Sequence, residues 1–482
     1  MPEGDASHAT SSQRPPRPRG RLLRRTTTGL VVLVLAVAVA AYPLDLGERL
    51  GIAVDPDEPA SVAPPDGLTL PAARVAPAVA PAATSTAVDR AAVARVLRPL
   101  VRAPVLGRRV TVMVAPLGSS RPVYATGARV VTPASTLKLL TAAAALEVLG
   151  PDHRFATTVV RSGRQLVLVG GGDPLLTRVP DPDDAYPRRA DLTTLARRAA
   201  TALDQAGVRR IRLGFDTSLF AGPEVEPTWE PDYVPQNVVS PITPLWVDEG
   251  RERAGYSSRS ADPDLAAAEF FSAALRKRGI AVEGRPRPVQ APASATPLAE
   301  VEGAPLSQVV QHVLELSDNE GAEVLARHVA IAQGGEASFD GGVEAVEDVL
   351  AALGVRLTGA DLHDGSGLSR KDRLAPATLI DVLRVAATDP DLRSVLTGLP
   401  VAGFSGSLTY RFEMAPRAAL GEVRAKTGTL TGVHGLAGTV RTRDGAVLAF
   451  VAIADRVRPF ESLTARARLD QVVGALAACV CG

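Results

Sequence analysis

The chain has 482 residues, which is too long for one simple domain, and 46% of them are hydrophobic, enough for sizeable cores. The formal net charge of +1 gives no indication of a nucleic-acid partner or of an acidic substrate. The composition therefore indicates an ordinary globular protein of several units.

The N-terminus predicts export. Six arginines lie within residues 14–25, and an uncharged run follows over residues 26–44. The apolar centre of this run, residues 29–42, spans 14 positions, which favours a signal peptide over a full membrane span. We expect residues 1–28 to be a basic cytoplasmic segment and residues 29–44 to be a signal peptide or signal anchor. An uncleaved segment would associate with the membrane, and the remainder would work outside the cytoplasm.

Residues 45–87 are rich in proline and alanine and predict an extended linker. Globular sequence starts near Val88 with a predicted helix over residues 88–102 and a strand over residues 109–115. A helix then starts at Pro133 and continues through an alanine-rich stretch without an internal glycine or proline. This order predicts the beginning of an antiparallel sheet covered by helices.

Residues 151–304 differ from the preceding sequence in their pattern of short apolar strands, turns and helices. This pattern predicts an inserted, smaller α/β domain. The run from Gly170 to Pro174 reads as a turn, since it lacks the Lys-Ser/Thr of a phosphate loop. Trp229 and Trp246 lie in a long irregular segment and are interpreted as packing residues. The expected strands are 155–160, 165–169 and 209–215, the expected helices are 191–205 and 264–278, and residues 286–297 read as a linker.

From residue 305 the pattern returns to helices and then to strands, which completes a predicted α+β fold. Cys479 and Cys481 are the only cysteines, and we interpret this C-x-C tail as peripheral. The expected helices are 306–316, 320–331, 375–387 and 462–478, a tight turn lies at 363–368, and the expected strands are 423–430, 435–441 and 446–454.

Lysine is rare in this chain, and its positions are informative. Only four of the 53 Lys and Arg residues are lysines. Arginine is effectively never deprotonated, whereas a buried lysine can become neutral and act as a base. A retained lysine therefore suggests a site where arginine cannot substitute. The lysines are Lys138, Lys277, Lys371 and Lys426.

Two of these lysines, and one of only two asparagines, fall in three short motifs. The motifs match S-x-x-K, S-D-N and K-T-G in that order along the chain. The serine and lysine of the first motif are three residues apart and share one helix face. The motifs are Ser135 to Lys138, Ser317 to Asn319 and Lys426 to Gly428.

These motifs resemble those of the penicillin-binding proteins and the active-site serine β-lactamases. The long insert between the first two motifs, together with the run from Asp364 to Leu368, is most similar to the class C low-molecular-mass group. That group comprises the D-alanyl-D-alanine carboxypeptidase/endopeptidases. The resemblance implies a transpeptidase-like domain, with an antiparallel sheet and an all-helical lobe, built from residues 88–150 and 305–478. The insert looks shorter than in the best-known members.

The resemblance also implies the catalytic roles. Ser135 would attack the carbonyl between two D-alanines to form an acyl-enzyme. Lys138 would act as the base, its pKa lowered by burial and by Lys426. Ser317 would relay the proton to the leaving amine, and Asp318 would structure the turn. No metal and no cofactor are implied.

The remaining motif residues would bind substrate. Asn319 would hold the substrate amide, and Thr427 and Thr429 would bind the terminal carboxylate together with Lys426. Backbone N–H groups of the nucleophile and of Thr429 would form the oxyanion hole. Gly428 would let the substrate backbone approach the strand closely. The implied partners are peptidoglycan stem peptides as substrates and β-lactams as acylating inhibitors.

Alternative functions are weaker. A class A β-lactamase would need a glutamate and an asparagine between the last two motifs, yet no asparagine follows Asn319. An exported, catalytically inactive wall-binding module would have no reason to keep Lys138. The six histidines lack H-E-x-x-H spacing, and no G-x-S-x-G elbow occurs, which argues against a zinc peptidase and an α/β-hydrolase. The balance between carboxypeptidase and endopeptidase activity, and the oligomeric state, stay open.

Overall fold

A computed structural model describes residues 87–482. The predictions for residues 1–28, 29–44 and nearly all of the linker at 45–87 lie outside the described residues. Across the described part of the chain, no helix combines the length and the apolar character needed to cross a membrane.

The first half of the described chain contains four helices and seven strands. Most of them agree with the predicted segments to within two residues. They are α1 (Arg90–Val101), β1 (Val110–Pro116), β2 (Tyr124–Thr126), α2 (Lys138–Leu149), β3 (Ala156–Ser162), β4 (Gln165–Val169), α3 (Leu192–Gln205), β5 (Arg210–Asp216), α4 (Pro263–Lys277), β6 (Ala281–Pro288) and β7 (Thr296–Glu302).

The second half returns to helices before it ends in three strands and a helix. The elements are α5 (Leu306–Leu316), α6 (Asn319–Ala332), α7 (Phe339–Ala352), α8 (Pro376–Thr388), α9 (Arg393–Thr397), β8 (Val423–Leu430), β9 (Val433–Arg441), β10 (Val447–Ala454) and α10 (Ser462–Ala477).

The main sheet has five strands in the order β2-β1-β10-β9-β8, and all neighbouring strands are antiparallel. Side chains alternate between its two faces. On β10, Val451 and Ile453 pack into the core shared with α2 and α8, whereas Phe450 and Ala452 pack into the core shared with α1 and α10. The sheet is therefore covered by helices on both faces, and the predicted α+β fold is confirmed.

Helix α2 lies at the centre of the helical lobe. Every residue from Lys138 to Leu146 is buried, so the helix has no solvent-facing stripe. It packs against α5, α6, α7 and α8, which surround it. The apolar surroundings position the first residue of α2, a lysine, inside the protein.

Residues 156–302 contribute a second five-stranded sheet, in the order β6-β5-β4-β3-β7. Its strands are parallel between β4, β5 and β6 and antiparallel elsewhere. Helices α3 and α4 pack on this sheet and form their own core. This mixed sheet agrees with a smaller inserted α/β unit, whose limits at 151 and 304 stay a prediction.

Two sequence interpretations are wrong. Residues 286–288 and 296–297 of the segment read as a linker belong to β6 and β7, which are the edge strands of the second sheet. The two cysteines are not peripheral, because they are bonded to each other and buried in the core that contains α1 and α10. The backbone carbonyl of Cys481 accepts a hydrogen bond from the Asp89 N–H at 2.7 Å. The C-terminal tail is therefore tied to the start of α1.

Candidate active site

Ser135 lies in a short 3₁₀ turn, Ala134–Leu137, that runs directly into α2. The sequence predicted an α-helix here, and the first turn is tighter than expected. Ala134, the residue before the serine, has a φ of +47°, in the left-handed region that few non-glycine residues adopt. The turn leaves Ser135 partly exposed just before the helix begins.

The Lys138 amine has three hydrogen-bond partners. Its Nζ lies 3.1 Å from Ser135 Oγ, 2.7 Å from Asn319 Oδ1 and 2.8 Å from the Ser366 carbonyl oxygen. The side chain is fully buried. The first and second motifs therefore meet at this amine, although they are far apart in the sequence.

Burial lowers the pKa of Lys138 to about 8, although nearby carboxyl groups, with Asp364 and Glu323 foremost, raise it. Removing a charged ammonium from water disfavours its protonated form. Burial, which the sequence predicted, is the main cause of this shift. The two lysines also influence each other: burial, and then the charge of Lys138, lower the pKa of Lys426 well below its usual range.

Ser317 ends α5 in the left-handed conformation, with a φ of +61°. Its Oγ accepts a hydrogen bond from Lys426 Nζ at 2.7 Å, and the same amine donates to the Thr427 carbonyl oxygen at 3.1 Å. The second and third motifs are therefore joined directly. Two serine–lysine pairs therefore lie close enough for the charge of Lys138 to act on Lys426.

The next two residues of the second motif begin α6. Asp318 caps the helix, because its Oδ1 accepts a hydrogen bond from the Gly321 N–H at 3.1 Å, which confirms its expected structural role. Asn319 Nδ2 donates to the Val238 carbonyl oxygen at 3.3 Å. This contact connects the second motif to the long irregular segment that follows β5.

On β8, Thr427 is buried and Thr429 is exposed. The prediction that Gly428 gives room to the substrate backbone stays a prediction, and the structure shows a packing role for this glycine. A Cβ on Gly428 would lie 2.7 Å from the Pro133 carbonyl oxygen and 3.4 Å from the Ala134 Cβ. The glycine lets β8 approach the turn that carries Ser135.

Sequence reasoning missed a buried turn that contacts the Lys138 amine. The Asp364 carboxylate accepts hydrogen bonds from the backbone N–H groups of Ser366, Gly367 and Ser369 and from Trp229 Nε1. This arrangement fixes the Ser366 carbonyl that accepts from the lysine amine. The D-G-S-G-L run was visible in the sequence, but it carried no assigned role.

Both tryptophans are buried, which confirms that they are packing residues. Within residues 87–482, one group of side chains could hold a metal ion, because its ligand atoms lie within 4.8 Å of one another. The group consists of Glu249, His312 and Asp318. Glu249 already pairs with Arg251 at 2.8 Å and with His312 at 3.3 Å. The described cluster is therefore an ion-pair network beside the second motif.

The geometry defines a class of enzyme. A serine hydroxyl beside a buried amine with a lowered pKa can become a nucleophile without a histidine. A second serine–lysine pair, Ser317 and Lys426, lies beside the first. This is the arrangement of an active-site serine acyl-transfer enzyme.

Comparison with known proteins gives the family. The profile of the D-Ala-D-Ala carboxypeptidase 3 (S13) family matches residues 93–255 and 251–476. The chain belongs to this family, and the resemblance inferred from the three motifs is confirmed.

Individual relatives agree with this assignment. The chain is 37% identical to Carboxypeptidase DacB of Mycolicibacterium smegmatis over 476 residues, which covers 96% of this chain and 99% of the relative. It is 31% identical to the D-alanyl-D-alanine carboxypeptidase of an Actinomadura species, covering 66% and 72% of the two chains. The fold is similar to that of penicillin binding protein 4 from Haemophilus influenzae, with a TM-score of 0.64, 23% identity, and coverage of 80% and 98%.

Proposed function

We propose that the protein is a serine-type D-alanyl-D-alanine carboxypeptidase that cleaves peptidoglycan stem peptides through an acyl-serine intermediate. The observation that carries this proposal is the 3.1 Å contact between Ser135 Oγ and the buried amine of Lys138. Family membership supports the same substrate class. Peptidoglycan lies outside the cytoplasmic membrane, so the site of action is extracytoplasmic, and residues 29–44 would serve as the export signal or anchor.

Acylation begins with neutral Lys138. Its lone pair accepts the Ser135 hydroxyl proton while Oγ bonds to the carbonyl carbon between the two D-alanines. The N–H groups of Ser135 and Thr429 stabilise the negative oxygen of the tetrahedral intermediate. Ser317 relays this proton from Lys138 to the leaving nitrogen, the C–N bond breaks, and D-alanine departs. A water molecule then hydrolyses the ester and restores the serine.

Substrate binding uses the groups around this centre. Asn319 would hold the peptide amide, and Thr427 and Thr429 would bind the terminal carboxylate near Lys426. The lowered pKa of Lys426 is compatible with this role, because an incoming carboxylate favours the charged ammonium. A β-lactam presents a similar amide and carboxylate, and its opened ring would remain on Ser135.

The pH dependence of acylation tests Lys138 as the base. Since the neutral amine is the reactive form and the pKa is about 8, the acylation rate should rise about tenfold per pH unit well below pH 8. It should level off above this pH. The measurement is the second-order rate constant for penicillin acylation between pH 5.5 and 9.5. A rate that is flat or falls between pH 6 and 8 would contradict the assignment.

The function itself is tested with wild-type protein and two assays. One penicillin per chain should attach, and mass spectrometry should locate it on Ser135. D-Alanine should be released from a stem pentapeptide. An adduct on another residue, or the absence of D-alanine release, would refute the proposal. Incubation with cross-linked peptide dimers then measures the endopeptidase activity separately.

A further inference from the structure

A second 3₁₀ turn, Gly406–Leu408, lies beside the third motif. The Ser407 Oγ is 2.9 Å from Thr427 Oγ1, and either hydroxyl can be the donor. Within residues 87–482, the Ser407 hydroxyl has no other hydrogen-bond partner in the protein. None of the three motifs contains this serine, and the mechanism above does not use it.

The surrounding segment is held on both sides. The Ala402 N–H donates to the Val423 carbonyl oxygen at 2.9 Å, and the Ala425 N–H donates to the Pro400 carbonyl oxygen at 3.0 Å. These bonds fix the segment along the beginning of β8. Residues 400–402 therefore continue the sheet just before the K-T-G motif.

The other side of the turn packs against the end of α5. Gly406 has a φ of +52°, and a Cβ on it would lie 2.4 Å from the Glu315 carbonyl oxygen. Glu315 is two residues before Ser317 in the second motif. Leu408, at the end of the turn, is fully buried. The backbone on both sides of Ser407, which is itself exposed, is thus anchored between the second and third motifs.

We propose that Ser407 is a positioning residue that orients the Thr427 hydroxyl toward the terminal carboxylate of the substrate. This inference rests on the proposed carboxylate-binding role of Thr427. A threonine hydroxyl has one proton, and a carboxylate can only accept hydrogen bonds. When substrate is bound, Ser407 donates to Thr427 Oγ1, and Thr427 donates to the carboxylate. The serine therefore contributes to the preference for peptides with a free C-terminus.

The test compares a peptide that ends in D-Ala-D-Ala with the same peptide carrying a C-terminal amide. Ser407→Ala should lower kcat/KM for the free acid about 3- to 10-fold, mainly through KM, because one hydrogen bond is lost. It should leave kcat/KM for the amide nearly unchanged. Ser407→Thr retains a hydroxyl and should restore most of the discrimination.

Ser405→Ala is the matched control. Ser405 lies in the same segment, but its Oγ accepts a hydrogen bond from the Val401 N–H at 3.2 Å and does not bond to the motif. This variant should keep the wild-type ratio of acid to amide. In a Thr427→Val background, Ser407→Ala should have no further effect on the ratio, since the hydroxyl that it orients is gone.

Three outcomes would overturn the inference. A wild-type ratio in Ser407→Ala would show that Thr427 needs no orientation by this serine. An equal loss on acid and amide, shared by Ser405→Ala, would show a purely structural effect. A wild-type enzyme that does not distinguish the acid from the amide would refute carboxylate binding by Thr427, a failure seen before any Ser407 variant is measured.

Discussion

Replacing Ser135 with alanine should abolish acylation by penicillin and reduce D-alanine release by about a millionfold, the loss typical of removing a nucleophile. The substitution removes a hydroxyl on a partly exposed residue, and this hydroxyl is hydrogen-bonded to the Lys138 amine. The fold should therefore survive, and noncovalent substrate binding should remain measurable. Acyl-enzyme formation by mass spectrometry and D-alanine release are the two readouts.

Ser162→Ala is a suitable control, because Ser162 is an exposed serine at the end of β3, in the second sheet. It should be acylated at the wild-type rate. Circular dichroism and thermal unfolding of both variants establish that the fold is retained. Acylation of folded Ser135→Ala at more than a trace level would mean that another residue is the nucleophile.

Replacing Lys138 with arginine should slow acylation by about 10²–10⁴-fold, the range expected for loss of a general base. The change conserves the positive charge, but the new side chain cannot become neutral, since a guanidinium stays protonated. It also places a larger group in a fully buried site. The second-order rate constant for penicillin measures the effect, and the rise in rate toward pH 8 should disappear.

Two further variants separate chemistry from packing. Lys277→Arg, at an exposed position near the end of α4, should behave like the wild type in every assay. Lys138→Met removes the amine without adding bulk, and it should be as slow as the arginine variant. Near-normal acylation of Lys138→Met would eliminate this lysine as the base.

The sequence could predict most of the site because the chemistry restricts which residues serve. A base that must become neutral cannot be arginine, so Lys138 and Lys426 stood out in an arginine-rich chain. Local signals also located the helices that carry the motifs, with α5 predicted at its observed bounds. The structure then brought Ser135, Ser317 and Asn319 around the two amines.

What the sequence could not predict depends on neighbours distant in the chain. Strands β6 and β7 contain prolines, which suggested a linker, but both are edge strands, where a missing N–H is tolerated. Helix α7 was missed because Gly341 and Gly342 occupy its first turn and disfavour a helix in isolation. A Cβ on Gly342 would lie 3.1 Å from the Ala326 carbonyl carbon, so the glycine permits close packing on α6.

Ser407 and Asp364 illustrate the same limit within the site. Neither belongs to a motif with a known chemical role, and each matters only through what it contacts. Asp364 organises the turn that holds the Ser366 carbonyl, and Ser407 reaches Thr427 from a separate segment. Such support becomes visible only when side-chain positions are known. The sequence predicted that burial lowers the pKa of Lys138, but it could not identify Asp364 and Glu323 as the carboxyl groups that oppose this effect.

The pairing of β1 with β10 has a consequence for biosynthesis. Residue Val110, near the beginning of the globular chain, pairs with Ala454, close to its end. Until the last strand has been synthesised, the β1 edge that pairs with β10 therefore has no partner. A prematurely terminated chain would carry Ser135 and Lys138 yet expose an unpaired strand to other chains. Truncated products should aggregate, and Ser135 should react with penicillin only in chains that are complete through β10.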